Sequence, residues 1–302
     1  MLRLILGKAG SGKTAAVIGE IREAVEAGQG GRMLLVPEQY SHEAERELCA
    51  ACGDRLSLYA EVFSFTGLAR RIRSRQGGAA ATYLDKGGRL LCMALAMDQV
   101  GGRLKVYTAA RRQTELHSLL LQAVDELKSA CIRPEALETA ARAFDDGLGD
   151  KLSDLALIAS AYDAVVARGH ADPADRLTVL AEQIRESDLG PETHVYVDGF
   201  IDFTRQEQQV LTALLSRGVE MTVCMTLDDL QSDNEIYALS RIACRRLLAE
   251  ARALGMETRV ETLERETRDP ALAFFADNMF RYGEARWEGA PAPVRLCAAE
   301  SL

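Results

Sequence analysis

Gly7-Lys8-Ala9-Gly10-Ser11-Gly12-Lys13-Thr14 satisfies G-x-x-x-x-G-K-[ST] at every fixed position. Its flanks agree with the physics of that motif. The apolar run Arg3 to Leu6 reads as a short strand rather than a secretory leader, being too soon followed by Lys8. After the loop, Val17, Ile18, Ile21 and Val25 recur at helical spacing from Thr14 to Ala27. Glycines let backbone N–H groups turn inward, and the N-terminus of the following helix adds positive potential. Such a loop cradles phosphates, with Lys13 placed to meet the β and γ phosphates and Thr14 to ligate Mg²⁺. Residues Gly7, Lys8, Ala9, Gly10, Ser11, Gly12, Lys13 and Thr14 are therefore the expected cofactor contacts, with ATP and Mg²⁺ as ligands. The competing reading is a glycine-rich turn with an exposed lysine.

Working outward, strand and helix alternate. Met33 to Val36 reads as a buried strand closed by Pro37, and Ser41 is placed to cap a helix running to Cys52, with Glu43 and Glu45 in its first turn. Leu58 to Phe63 is a third strand, after which Ser64 caps a helix to Gln76. From residue 85 to 190 the texture turns all-helical, with Asp172 and Pro173 as a cap and first helical residue. Alternation resumes at His194 to Asp198, with a helix from Thr204 to Ser216, a strand from Glu220 to Met225 and a helix from Asn234 to Leu254. A strand from Glu257 to Glu261, a helix from Ala271 to Phe280 and a last strand from Val294 to Cys297 complete the reading, and the abrupt end suggests a fragment.

The second motif is Val195-Tyr196-Val197-Asp198-Gly199-Phe200: an apolar strand ending in an aspartate, as at the metal-side carboxylate of nucleotide hydrolases. The alternative is an ordinary acidic residue at a strand end. In active helicase-type ATPases a glutamate follows that aspartate and orients the attacking water; here the position is Gly199. Losing a positioned general base costs about 10²–10⁴-fold in rate. The expectation is ATP binding without rapid turnover, and no confident catalytic residue.

Composition narrows the class. The 302 residues are 48% hydrophobic, ample for a core, and no stretch approaches the roughly 20 apolar residues that span a bilayer. The chain reads as soluble and cytoplasmic, without a membrane partner. Its net charge of −9 argues against a small dedicated DNA-binding module and leaves nucleic-acid contact to a local patch. The seven cysteines lack framework spacing, and Cys49 and Cys52 read as packed thiols on one helical face. The histidines lack metal spacing, and no serine sits in a nucleophile elbow. Arg70, Arg71, Arg73 and Arg75 offer either phosphate contacts or a solvated, acid-paired helix face. Tyr59, Phe63 and Phe65 offer stacking surfaces or, more commonly for aromatics beside a buried strand, core. Glu38 and Gln39 either face the nucleotide loop or serve a turn.

In combination, GKAGSGKT (7–14), LLVPEQYSHEAERELC (34–49), VFSFTGLARRI (62–72) and VYVDGFIDFTRQEQQVL (195–211) resemble the amino-terminal part of the AddB family. These are the B subunits of bacterial ATP-dependent helicase–nucleases. The likeness runs over almost the whole chain. It implies an α/β, RecA-like P-loop NTPase domain with a parallel sheet, similar to domain 1A of superfamily 1 helicases, over residues 1–84 and 191–302. An all-helical, 1B-like insertion would occupy residues 85–190.

By the same resemblance, Ser64, Phe65 and Thr66, with Arg70 and Arg71 behind them, fall where such helicases touch single-stranded DNA. Asp198 joins Thr14 at Mg²⁺. The D-E-F-Q-D-T motif keeps Asp198 and Asp202 but loses its glutamate. The G-D-x-x-Q-S-I-Y segment survives only as Ile236-Tyr237, and the adenine-reading glutamine upstream of the loop is missing. The resemblance therefore implies a degenerate helicase that pairs with an AddA-like helicase–nuclease subunit. The family's iron–sulfur cluster and nuclease fall in a carboxy-terminal domain beyond these residues. Two other classes compete: a stand-alone P-loop ATPase or kinase, and a scaffold with a vestigial loop. The proposed loop and Asp198 are expected to meet at the carboxyl ends of adjacent strands.

Overall fold

The computed structural model describes residues 1–77, 82–264, 269–278, 283 and 285–290. The strand expected at Val294 to Cys297 lies outside them. In chain order the first elements are β1 (Leu2–Gly7), α1 (Lys13–Glu26), β2 (Arg32–Leu35), α2 (Ser41–Cys52), α3 (Leu56–Tyr59), β3 (Ala60–Phe63) and α4 (Phe65–Gln76). The helical block follows as α5 (Lys86–Val100), α6 (Thr114–Ser129), α7 (Pro134–Ala141), α8 (Gly147–Val166) and α9 (Arg176–Arg185). Then come β4 (His194–Val197), α10 (Arg205–Ser216), β5 (Glu220–Thr226), α11 (Ala238–Ala253), β6 (Thr258–Thr262) and α12 (Pro270–Asn278).

The strands form one six-stranded, all-parallel sheet in the order β3-β2-β4-β5-β1-β6. Parallel strands need covered faces, which explains the largely apolar sequences of β1, β2, β4 and β5, while the edge strand β6, Thr-Arg-Val-Glu-Thr, stays mostly exposed. One face packs Ile5, Leu34 and Tyr196 against Val17, Ile21 and Val25 of α1, Leu48 of α2 and Leu56 of α3. The other packs Leu4, Leu6, Val197 and Val223 against α4, α9, α10 and α11. A further core belongs to the helical block, where Met93, Met97, Leu120, Val124, Ile158 and Tyr162 from α5, α6 and α8 close on one another. Helix α9 lends Leu180, Ala181 and Ile184 to the sheet's core instead.

Two boundaries differ from expectation. Ser41 is not a cap: a 3-10 turn over Glu38–Tyr40 leads straight into α2, and the Ser41 hydroxyl donates back to the Glu38 carbonyl at 2.8 Å. Leu58 and Tyr59 lie in the short α3, so the third strand starts only at Ala60. Ser64 does cap α4, accepting from the Gly67 amide at 3.1 Å. Asp172 caps as read, though the turn it starts is 3-10 before it becomes α9.

Candidate functional site

Because every strand is parallel, the segments after β1, β2, β3, β4 and β5 all emerge at one edge, where open α/β sheets hold ligands. The Gly7–Thr14 loop leaves β1 there. A Cβ on Gly7 would stand 2.3 Å from the Ser11 hydroxyl oxygen and 2.7 Å from the Leu263 carbonyl, so only glycine fits. Gly10 (φ 77°) and Gly12 (φ 88°) take left-handed conformations that wrap the loop. Gly12 precedes α1 without any side-chain cap, and the first turn of α1 holds no acid. Its orphan amides are thus left to an anion.

Lys13 is 8% exposed, and its ammonium donates to the carbonyls of Gly7 (2.7 Å) and Lys8 (3.0 Å). Burial pushes its pKa down from the ordinary lysine value. The Thr14 hydroxyl donates to Asp198 Oδ2 at 2.6 Å, joining the loop to the end of β4. The expected neighbouring of the two strands is incorrect: β5 runs between β1 and β4. Thr14 spans the gap because it sits one residue into α1, beyond the end of its own strand. Thr14 and Asp198 present two oxygens to a divalent cation, whose other positions phosphate and water would fill.

Gly199 follows at φ 83°, where a Cβ would stand 3.2 Å from Pro37 Cδ. No side chain reaches from this position toward the phosphate loop. Asp202 accepts from the Phe203 amide at 2.7 Å, and Thr204 with Glu207 forms a capping box on α10.

At the same sheet edge a cavity of about 550 Å³ opens between the ends of β2, β3 and β4, lined in part by Glu38, Gln39, Ser64, Phe65, Thr66 and Gly199. Glu38 and Gln39 thus serve a turn and also border the cavity. Phe65 is buried and meets Phe200 edge-on at 5.5 Å. Phe63 and Tyr59 pack partly against the two sheet cores. The arginine run divides. Arg71 pairs with Glu61 at 3.0 Å and Arg73 donates to the Tyr83 hydroxyl at 2.6 Å, while Arg70 and Arg75 are exposed. Glu61 and Tyr83 are partners that sequence spacing does not reveal.

Cys52 packs into the core, but Cys49 is exposed: Leu48 and Cys52, four apart, define the buried face of α2. Sequence reading also missed the ion pair between Lys8 of the loop and Asp277 of α12. Among the described residues no group of three or more His, Cys, Asp or Glu side chains is placed to hold a metal. No helix among them is long and apolar enough to cross a membrane.

Comparison with known proteins gives a concordant result. A family model described as "ADDB, N-terminal" matches residues 4–276. The B subunit of the ATP-dependent helicase/deoxyribonuclease of Desulforudis audaxviator (strain MP104C) is 35% identical, aligned over 99% of this chain and 27% of its own length. The protein of the same name from Geobacillus kaustophilus (strain HTA426) is 34% identical over 75% of this chain and 20% of its own length. The one from Clostridium acetobutylicum is 27% identical over 100% of this chain and 27% of its own length. The chain thus spans about a quarter or less of the length of these relatives. By these matches, the chain belongs to the AddB amino-terminal family.

Proposed function

We propose that this chain is the amino-terminal segment of the B subunit of an ATP-dependent helicase–exonuclease that processes DNA double-strand breaks for recombinational repair. In this reading it is a RecA-like domain, similar to superfamily 1 domain 1A, with residues 85–190 as a 1B-like insertion. It holds ATP and Mg²⁺ and turns ATP over slowly. Its partner is an AddA-like helicase–nuclease subunit, and its setting is the bacterial cytoplasm. The relatives' names support the complex; the loop, Lys13, Thr14 and Asp198 support the nucleotide reading.

The observation that carries the nucleotide reading is the 2.6 Å contact of Thr14 with Asp198 beside an uncapped helix N-terminus and a buried lysine. The residues fit Mg·ATP: Gly7 excludes a Cβ, Gly10 and Gly12 take left-handed turns, the amides at the start of α1 are open, and Thr14 and Asp198 offer two oxygens for the cation. ATP supplies a phosphoryl group that water can attack. The chain's own residues bind its phosphates through the loop amides and Lys13, and orient the cation through Thr14 and Asp198. Nothing at Gly199 holds a water for attack, which lowers turnover by about 10²–10⁴-fold against a motor with a positioned base.

DNA contact falls at Ser64, Phe65 and Thr66, with Arg70 and Arg71 on the helix behind. The cavity beside Ser64 supports it, and Arg70 is the freer of the two cations, since Arg71 is held by Glu61. Among the described residues there is no ligand set for the family's iron–sulfur cluster.

Steady-state hydrolysis with and without single-stranded DNA tests this reading. Slow turnover that DNA does not accelerate is expected. Rapid, DNA-stimulated turnover by the chain alone would instead make it a free-standing motor ATPase.

A further inference from the structure

Arg176 opens α9 and lines the cavity that Ser64, Phe65 and Thr66 border. It is the single cationic side chain in that lining among the described residues, which also holds Glu38, Asp202 and Glu207. Asp202 is turned to the Phe203 amide and Glu207 to the capping box with Thr204. Among the described residues the Arg176 side chain has neither a carboxylate within ion-pair distance nor a hydrogen-bond partner. Its neighbours are engaged: Asp175 with Lys128, and Arg73 with the Tyr83 hydroxyl.

What holds Arg176 is an aromatic ring. Its guanidinium carbon lies 4.6 Å from the centroid of Tyr83. Tyr83 is itself fixed, by the 2.6 Å hydrogen bond from Arg73 and by the pairing of its segment with Ala171. A cation held over a ring face is restrained in position while its N–H groups stay unspent. A planar fork of free donors suits a phosphate oxygen pair. A polyanion entering this cavity also meets repulsion from the neighbouring carboxylates within the screening length of about 8–10 Å, and Arg176 offsets it.

We infer that Arg176 grips a backbone phosphodiester of the single strand taken up beside Ser64 to Thr66, and that Tyr83 is its positioning residue. This rests on the DNA-binding reading above and adds a residue that neither the motifs nor the resemblance supplied.

The test is fluorescence anisotropy of a labelled thymidine oligonucleotide with the full chain, titrated from about 50 to 300 mM salt. Arg176→Ala weakens binding about three- to ten-fold and lowers the slope of log affinity against log salt by about 0.7–1, one phosphate contact. Arg176→Lys keeps the slope and loses part of the affinity. Tyr83→Leu also loses affinity with the slope retained, because the charge stays but its orientation does not. Should Arg176→Ala fail to fold, Arg176→Gln gives the same slope reading with the stem kept. A purely structural role would leave the slope untouched in every variant, and that result overturns the assignment. If the unaltered chain binds but Arg176→Ala matches it in affinity and slope, this inference falls alone. If the unaltered chain binds no oligonucleotide, the DNA-binding reading falls and takes this inference with it.

Discussion

Gly199 shows how a single residue shapes the proposed chemistry. Its backbone sits at φ 83°, where an L side chain is strained by about 1–3 kcal/mol. The Cβ would also press Pro37 at 3.2 Å. The backbone at this position thus disfavours a glutamate, as it does other L side chains. Gly199→Glu is expected to lower stability by about 1–3 kcal/mol in urea melts and to leave ATP turnover at its original rate. Gly199→Ala should lose a similar amount, showing that the strain belongs to the backbone rather than the charge. Restored DNA-stimulated hydrolysis in Gly199→Glu would contradict this. The motif's identity was legible from residue types alone, because a strand, three glycines and Lys13-Thr14 are all local. The left-handed turn at Gly199 was not: a glycine permits that conformation without requiring it.

Among elements, β4 carries a titrating group away from the site. His194 stacks on Tyr196 at 4.0 Å, and its Nε2 lies 2.9 Å from the Thr222 hydroxyl. Burial, then the charges of Arg32, Arg3 and the N-terminal amine, hold its pKa at about 4. Glu220, at 3.6 Å from Nδ1, is half exposed and does not offset them. The folded pKa lies below the unfolded value of about 6.5, so the unfolded chain binds the extra proton first. The neutral ring's contribution is complete above pH 6.5 and is lost as pH falls through about 4, on the order of 3 kcal/mol. Stability measured across that window should show this slope, and His194→Gln should flatten it. An unchanged slope in the variant would place the titration elsewhere. Element types were legible from periodicity, since long amphipathic helices and buried strands declare themselves. Their ends were less so. The start of α2 was misread because Ser41 resembles a cap, while the turn that actually begins the helix lies in Glu38–Tyr40.

At the scale of the whole molecule, a buried charge cluster ties α5 and α6 to the segment that leads into α9, the helix that packs on the sheet. The two chain crossings pair through Leu84 N–H to Ala171 O and Ala171 N–H to Thr82 O, each at 3.0 Å. Asp172, fully buried, meets Arg89 of α5 at 3.0 Å and Lys128 of α6 at 3.1 Å. Gln206 of α10 donates to the nearby Ala174 carbonyl at 2.8 Å. Asp172→Ala removes the fully buried partner that Arg89 and Lys128 share, leaving them Asp125 and the pair Asp163 and Asp175, and should cost about 1–3 kcal/mol, whereas Lys105→Ala, at an exposed pair with Asp150, should leave stability nearly unchanged. Thermal melts compare the two, and equal losses would contradict the cluster's role. Neither the cluster nor the strand order was legible in sequence. Local patterns reveal each strand, but only the assembled sheet shows β5 separating β1 from β4. The meeting of Thr14 with Asp198 survives that separation, and the proposed function depends on it. Calorimetric titration of the purified chain with Mg·ATP probes that meeting. Saturable binding is predicted, weakened at least ten-fold (about 1.4 kcal/mol) by Lys13→Ala; no heat of binding, or equal affinity in the variant, would contradict it.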